Sequence, residues 1–164
     1  MLLGLVGSEM CIRDRNSAIE TEPALSPDGR YLALISDRTG SPQVYVRDMQ
    51  RKKLTRITEN GNYNVSPSWS PDGKFIAYAS RRSGVSSIYR IDPKSKEENR
   101  VTPKNMNAES PTWSPDGSMI AFSGKKGGDW KIYYSLSSGG QAVRLTNSKA
   151  GLQETMPSWG PSLR

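Results

Sequence analysis

The chain has 164 residues, 34% of them apolar, with 15 glycines and 11 prolines. That mix suits many short strands joined by tight turns better than a bundle of helices. The formal net charge is +7, there is no histidine, and the one cysteine is Cys11. These counts exclude Ser-His-Asp and Cys-His catalysis, imidazole-bound zinc and an internal disulfide. No run approaches the ~20 apolar residues needed to cross a bilayer.

The opening Met1–Gly7 is apolar but lacks a basic n-region and is short for a signal-peptide core, so no export signal is visible. Val6 to Arg15, VGSEMCIRDR, shares nothing with the remainder of the chain and resembles translated sequencing-adapter read-through. The alternative is a natural, poorly ordered N-terminus. Residues 1–15 are expected to be a non-native or disordered leader, and the fold is expected over 16–164.

From there one pattern repeats. A short first strand, Glu22–Ser26, ends in Ser26-Pro27-Asp28-Gly29, where Pro, Asp and Gly suit a type I turn closed by a left-handed glycine. The unbroken apolar run Tyr31–Ile35 predicts a second strand covered on both faces. A turn holding Gly40 leads to a third strand, Val44-Tyr45-Val46, and a fourth, Arg56-Ile57-Thr58, whose arginine suits a solvated outer edge. The same order returns after 44 residues, with SPDG at Ser70–Gly73, and again at Ser114–Gly117. A fourth copy begins at Pro157-Ser158-Trp159, displaced by 46 residues instead of 44.

A four-stranded antiparallel meander of this length, buried on both faces and repeated, is a propeller blade. The expected fold is all-β: three blades at about 20–58, 64–102 and 108–146, plus a lone strand at 155–159. A parallel β-helix is the weaker rival, since its coils are shorter and lack hairpin turns. Three blades do not close a ring, so the lone strand is expected to complete a blade whose other strands lie upstream in a longer chain. The open side would leave about 500 Å² of apolar surface, worth about 12 kcal/mol at ~25 cal/mol per Å², and poor solubility is expected of the chain alone.

PSWSPDGKFIAYASRRSGVSSIYRID and PTWSPDGSMIAFSGKKGGDWKIYYSL, each followed by R-x-T, resemble the propeller repeat of the TolB family, periplasmic proteins of the Tol–Pal system. The resemblance covers residues 16–164. NYNVSPSWSPDG (Asn62–Gly73) and the ending ETMPSWGPSLR are similar to a TolB blade junction and C-terminus. The first blade has Leu25 where the family has Trp, and the last copy has Gly160 in place of Ser. The chain shows no counterpart of the family's N-terminal domain or of its TolA-engaging segment. Propellers of prolyl-oligopeptidase-like and tricorn-type proteases use related repeats, which leaves a second reading: a substrate-gating propeller without its catalytic domain. No G-x-S-x-G elbow occurs here.

The resemblance implies a six-bladed, non-enzymatic ring that binds the peptidoglycan-associated lipoprotein Pal over one mouth of its channel. The loops leading into each first strand would form that mouth: Glu20-Thr21-Glu22, Tyr63-Asn64-Val65-Ser66, Ala108-Glu109-Ser110 and Glu154-Thr155-Met156. Acids recur there although the chain is basic. Strand direction puts Arg38, Arg81-Arg82 and Lys125-Lys126 further out on the same face, predicting an acidic inner ring within a basic outer ring. The bland alternative is ordinary solvated loop charge. A cation held by the converging acids is a minor alternative; no cofactor and no bound metal are expected. Turn chemistry accounts for Asp28, Asp72 and Asp116, and blade packing for Trp69, Trp113 and Trp159. The remaining basic residues, Arg51-Lys52-Lys53, Lys94 and Lys96, fall on the opposite face without interleaved aromatics, which speaks against nucleic acid as a partner. Direct membrane insertion is not expected.

Overall fold

The computed structural model describes residues 18–149 and 151–160; the leader expected at 1–15 lies outside them. The described residues form three four-stranded sheets, with every neighbouring pair antiparallel. The first sheet holds β1 (Glu20–Leu25), β2 (Tyr31–Ser36), β3 (Gln43–Asp48) and β4 (Lys53–Arg56) in that order. The second holds β5 (Tyr63–Trp69), β6 (Ile76–Arg82), β7 (Val85–Ile91) and β8 (Glu98–Arg100). The third holds β9 (Asn107–Trp113), β10 (Met119–Lys125), β11 (Lys131–Leu136) and β12 (Val143–Arg144). β1 adjoins β5 and β5 adjoins β9, so the first strands stand side by side while the sheets fan outward as blades. The β-helix reading falls, because each unit is a closed meander.

Each SPDG reverses the chain by the same bonds. The Gly29 amide donates to the Ser26 carbonyl at 2.9 Å with φ of +69° at the glycine. The Ser26 hydroxyl donates to Asp28 at 2.6 Å and accepts the Tyr31 amide at 2.9 Å. The copies at Ser70 and Ser114 repeat both side-chain bonds. Hydrogen bonding from Ser114, then Ser118, lowers the Asp116 carboxyl to about 2. The aspartates are therefore turn components.

Each first strand carries a bulge on its free edge. Glu22, Ser66 and Ser110 sit at φ of +50°, +55° and +53°, each directly before a proline, and the ladder shifts register there. Proline costs no ladder bond at a bulge of an edge strand, which explains Pro23, Pro67 and Pro111. Pairing resumes beyond the bulge, so the first strands begin earlier than the sequence suggested, at Glu20 in the first blade.

The fourth strands end before the expected threonine. Thr58, Thr102 and Thr146 use the hydroxyl instead, accepting the amides of Val44, Ile88 and Ile132 at 3.1 Å. The arginine two residues earlier then caps the threonine carbonyl through Nε: Arg56 at 2.6 Å, Arg100 at 2.8 Å and Arg144 at 2.5 Å. R-x-T is thus a strand-end lock, in which arginines on the outer edge strands also cap backbone carbonyls.

The core lies between blades. Ala33, Val44, Val46 and Ile57 of the first pack on Trp69, Ile76, Tyr78, Tyr89 and Ile91 of the second. Ala77, Ala79, Ile88 and Val101 meet Trp113, Ile120 and Phe122 of the third in the same way. The tryptophan indoles reach back to the preceding blade: Trp69 Nε1 donates to the Ala24 carbonyl and Trp113 Nε1 to the Ser68 carbonyl, both at 2.9 Å.

Residues 155–159 do not pair as a strand within the described residues, yet they hold the first-strand shape. Met156 takes φ of +55° before Pro157, its amide donates to Ser123 Oγ at 2.9 Å, and Trp159 Nε1 donates to the Thr112 carbonyl at 3.1 Å. A ladder needs a second strand, and position alone does not make one. The third blade's outer face stays open: Leu145 is 57% exposed where the equivalent Ile57 and Val101 are each 1%. On the other side Leu25, in the place of the blade tryptophans, is 58% exposed.

Candidate functional site

Strand direction places the opening residues of β1, β5 and β9, which the sequence suggested were loops, on one end of the assembly, together with the β2–β3, β6–β7 and β10–β11 turns. The SPDG turns and the β3–β4 and β7–β8 turns lie at the other end. At the mouth Glu22 crosses between the first two blades, and its Oε2 accepts the Ser66 amide at 2.6 Å. Thr21 pairs with Ile35 and Val65 with Ala79, and the Val65 side chain packs on the second interblade core. Tyr63 is exposed, with the Arg81 guanidinium 5.1 Å from its ring centre. Glu109 and Ser110 occupy the matching places in β9, and Ala108 is buried beneath them.

Two expected rim residues serve the framework instead. Asn64 is wholly buried; its amide donates to Gln43 Oε1 at 2.8 Å and to the Asn60 carbonyl at 3.0 Å. Its side chain pins the linker between the first two blades and is out of reach of a partner. Glu154 is tied down as well: its amide donates to the Trp130 carbonyl at 3.0 Å and its carboxylate lies 3.7 Å from Lys131 Nζ. Thr155 beside it is exposed.

The two predicted charge rings are not independent. Arg38 of the outer ring is ion-paired with Glu20 of the inner one. Arg82 turns away from the mouth onto Glu98 of its own blade, at 2.7 and 2.9 Å, and its guanidinium carbon lies 3.8 Å from the Tyr89 ring centre. Tyr78 Oη donates to the same carboxylate at 2.5 Å and Asn60 at 2.9 Å. Burial opposes ionisation of Glu98, but the bonds from Arg82, Tyr78 and Asn60 outweigh it and hold the carboxyl below its usual range. Burial, reinforced by Glu98, pushes the Tyr78 phenol up. The basic outer ring is thus reduced to Arg81 and the exposed Lys125 and Lys126, since a half-buried guanidinium is better satisfied by a bidentate carboxylate than by water. Among the described residues no three acidic or cysteine side chains gather as a metal site, so the axial cation alternative finds no support.

Sequence reasoning missed the linker pins. Gln43 and Lys131 hold the same repeat position at the start of the third strand, and both are buried. Gln43 binds Thr58, Asn64 and the Gly61 carbonyl. Lys131 Nζ donates to Ser148 Oγ at 2.5 Å and to the Leu152 carbonyl at 2.7 Å, fastening the longer linker that leads into the fourth copy. The available signal was a polar side chain opening an otherwise apolar strand, at a fixed repeat position.

With three interlocked meanders, their shared rim and a fourth first-strand in place, comparison with known proteins becomes informative. The family described as "TolB beta propeller domain" matches residues 5–163. The chain belongs to the TolB β-propeller family. A Tol-Pal system protein TolB from Bordetella pertussis is 49% identical over 39 residues, 24% of this chain and 9% of that protein. The crystal structure of TolB from Acinetobacter baumannii superposes with a TM-score of 0.69 at 28% identity, covering 81% of this chain and 33% of that one. The chain therefore spans about a third of the solved TolB propeller protein it matches. A puromycin-hydrolysing peptidase from Mycobacterium tuberculosis gives a TM-score of 0.67 at 15% identity, over 80% of this chain and 22% of that one. That likeness is one of fold alone. Among the described residues of this TolB-type propeller, no helix is long and apolar enough to cross a membrane.

Proposed function

We propose that this TolB-type propeller is a non-enzymatic protein-binding module of the Tol–Pal envelope system, acting in the periplasm. Its partner is Pal, a peptidoglycan-associated lipoprotein, and the assembly serves outer-membrane integrity and cell division. The observation that carries the reading is the shared rim: first strands from successive blades stand side by side, and Glu22 joins the first two through the Ser66 amide at 2.6 Å. A partner crossing the mouth meets one surface instead of separate loops.

Contact residues on that surface are Glu20, Thr21, Glu22, Tyr63, Ser66, Glu109, Ser110 and Thr155. Tyr63 supplies an exposed aromatic side chain of the kind that anchors interfaces. Glu109 makes no ion pair with another described residue, so its charge is free to meet a basic group on the partner. In the full-length protein, Glu109→Lys is expected to weaken Pal binding by about tenfold, as loss of one interfacial charge contact does, measured by isothermal titration calorimetry. Tyr63→Ala is expected to act in the same direction. Unchanged affinity in both variants would remove the mouth as the binding surface.

A further inference from the structure

The end of the molecule opposite the mouth holds a second feature. Between the first two blades lies a cavity of about 210 Å³, floored by Val46, Ile57 and Trp69 and walled by Tyr31. Between the second and third blades the corresponding place is bordered by Phe75, Arg90 and Trp113, and the cleft of about 130 Å³ there lies toward the SPDG turns. One side chain differs between the two places. Val46 of the first blade corresponds to Arg90 of the second, whose guanidinium lies 4.6 Å from the Phe75 ring centre and fills that space. An apolar cavity of ~150 Å³ holds a benzene ring, so the larger one admits an aromatic side chain.

The rim has its own charge. Arg51, Lys53 and Lys94 border the cavity, all three are exposed, and none makes an ion pair with another described residue. Asp48, beside them, is already satisfied: it accepts the Gln50 and Arg51 amides at 3.0 Å and lies 3.6 Å from Arg30. An adjoining trough of about 460 Å³, between the first two SPDG turns, presents Asp28, Asp72 and Asp92 together with Lys94 and with Lys74, which is ion-paired with Asp72. The repeat supplies a contrast for the rim too: the positions of Arg51, Lys53 and Lys94 are held one blade later by Ser95, Glu97 and Ser138. A cavity, a cationic rim and the replacement of Val46 and of all three cations one blade later distinguish this place from ordinary blade packing.

We propose that this cleft docks an acidic peptide segment of a partner protein, which inserts one aromatic side chain onto Trp69 and Tyr31 and lays the carboxylates next to it in sequence against Arg51, Lys53 and Lys94. This surface is separate from the mouth, so both can be occupied at once.

The test uses the whole chain and a fluorescein-labelled peptide, Gly-Gly-Phe-Asp-Glu-Asp, followed by anisotropy at low salt. Saturable binding is expected, weakened at least tenfold by Phe→Ala in the peptide and by raising the salt. Val46→Arg copies the second blade and is expected to weaken binding at least tenfold by filling the cavity. The triple change Arg51→Ser, Lys53→Glu, Lys94→Ser alters only exposed side chains and is expected to do the same with an unchanged circular dichroism spectrum. Absence of binding at millimolar peptide overturns the proposal. So does undiminished binding of the Phe→Ala peptide, or binding that survives the triple change.

Discussion

The R-x-T lock offers a measurement in which the protein supplies its own controls. Thr102 is 4% exposed and its hydroxyl is the acceptor for the Ile88 amide at 3.1 Å, while Ile88 is fully buried. Thr102→Val keeps the shape but leaves that amide without its partner and out of reach of water. An orphaned buried donor costs about 1–3 kcal/mol. With a urea m-value of about 2 kcal/mol per molar, a loss of about 2 kcal/mol lowers the unfolding midpoint by about 1 M. Thr58→Val should cost more, because the Thr58 hydroxyl also donates to Gln43 at 2.8 Å. Thr146→Val should cost less than about 1 kcal/mol, since Thr146 is half-buried beside the open face of the third blade and water can replace its hydroxyl. Urea titrations followed by tryptophan fluorescence give the three midpoints. Equal losses at Thr102 and Thr146, or a neutral Thr102→Val, would refute the argument that burial sets the value of the lock.

Glu98 gives a pH dependence. Its folded-state carboxyl titrates below its unfolded range of about 4.3, so its contribution is present above that value and is lost as pH falls through the folded one. Glu98→Gln should therefore flatten the stability profile between about pH 5 and pH 3, and parallel parent and variant profiles would contradict this. The open face of the third blade predicts self-association: Leu136→Glu with Leu145→Glu, at positions 60% and 57% exposed, should reduce concentration-dependent sedimentation. The same pair should leave the unfolding free energy within about 0.5 kcal/mol of the parent. A parent chain that stays monomeric at high concentration would contradict the first half, and a large stability loss the second.

What the sequence determined by itself was whatever a short window encodes. SPDG carries its turn within four residues, because Ser, Asp and Gly bond to one another and to the adjacent backbone. The 44-residue period fixed the number of meanders, and the continuous apolar second strands announced that both faces are covered. The tryptophans were legible as packing groups for the same reason. Tertiary structure decided which polar residues are available. Asn64 and Glu22 were both expected in loops leading to the mouth, yet one is a buried residue of β5 that pins the preceding linker and the other spans two blades, because each answers to a residue 21 or 44 positions away. Arg82 and Glu98 cancel across 16 residues, and Val46 leaves a cavity that Arg90 fills in the next blade. Partners at such separations are set by how the blades press together, which a local pattern does not record.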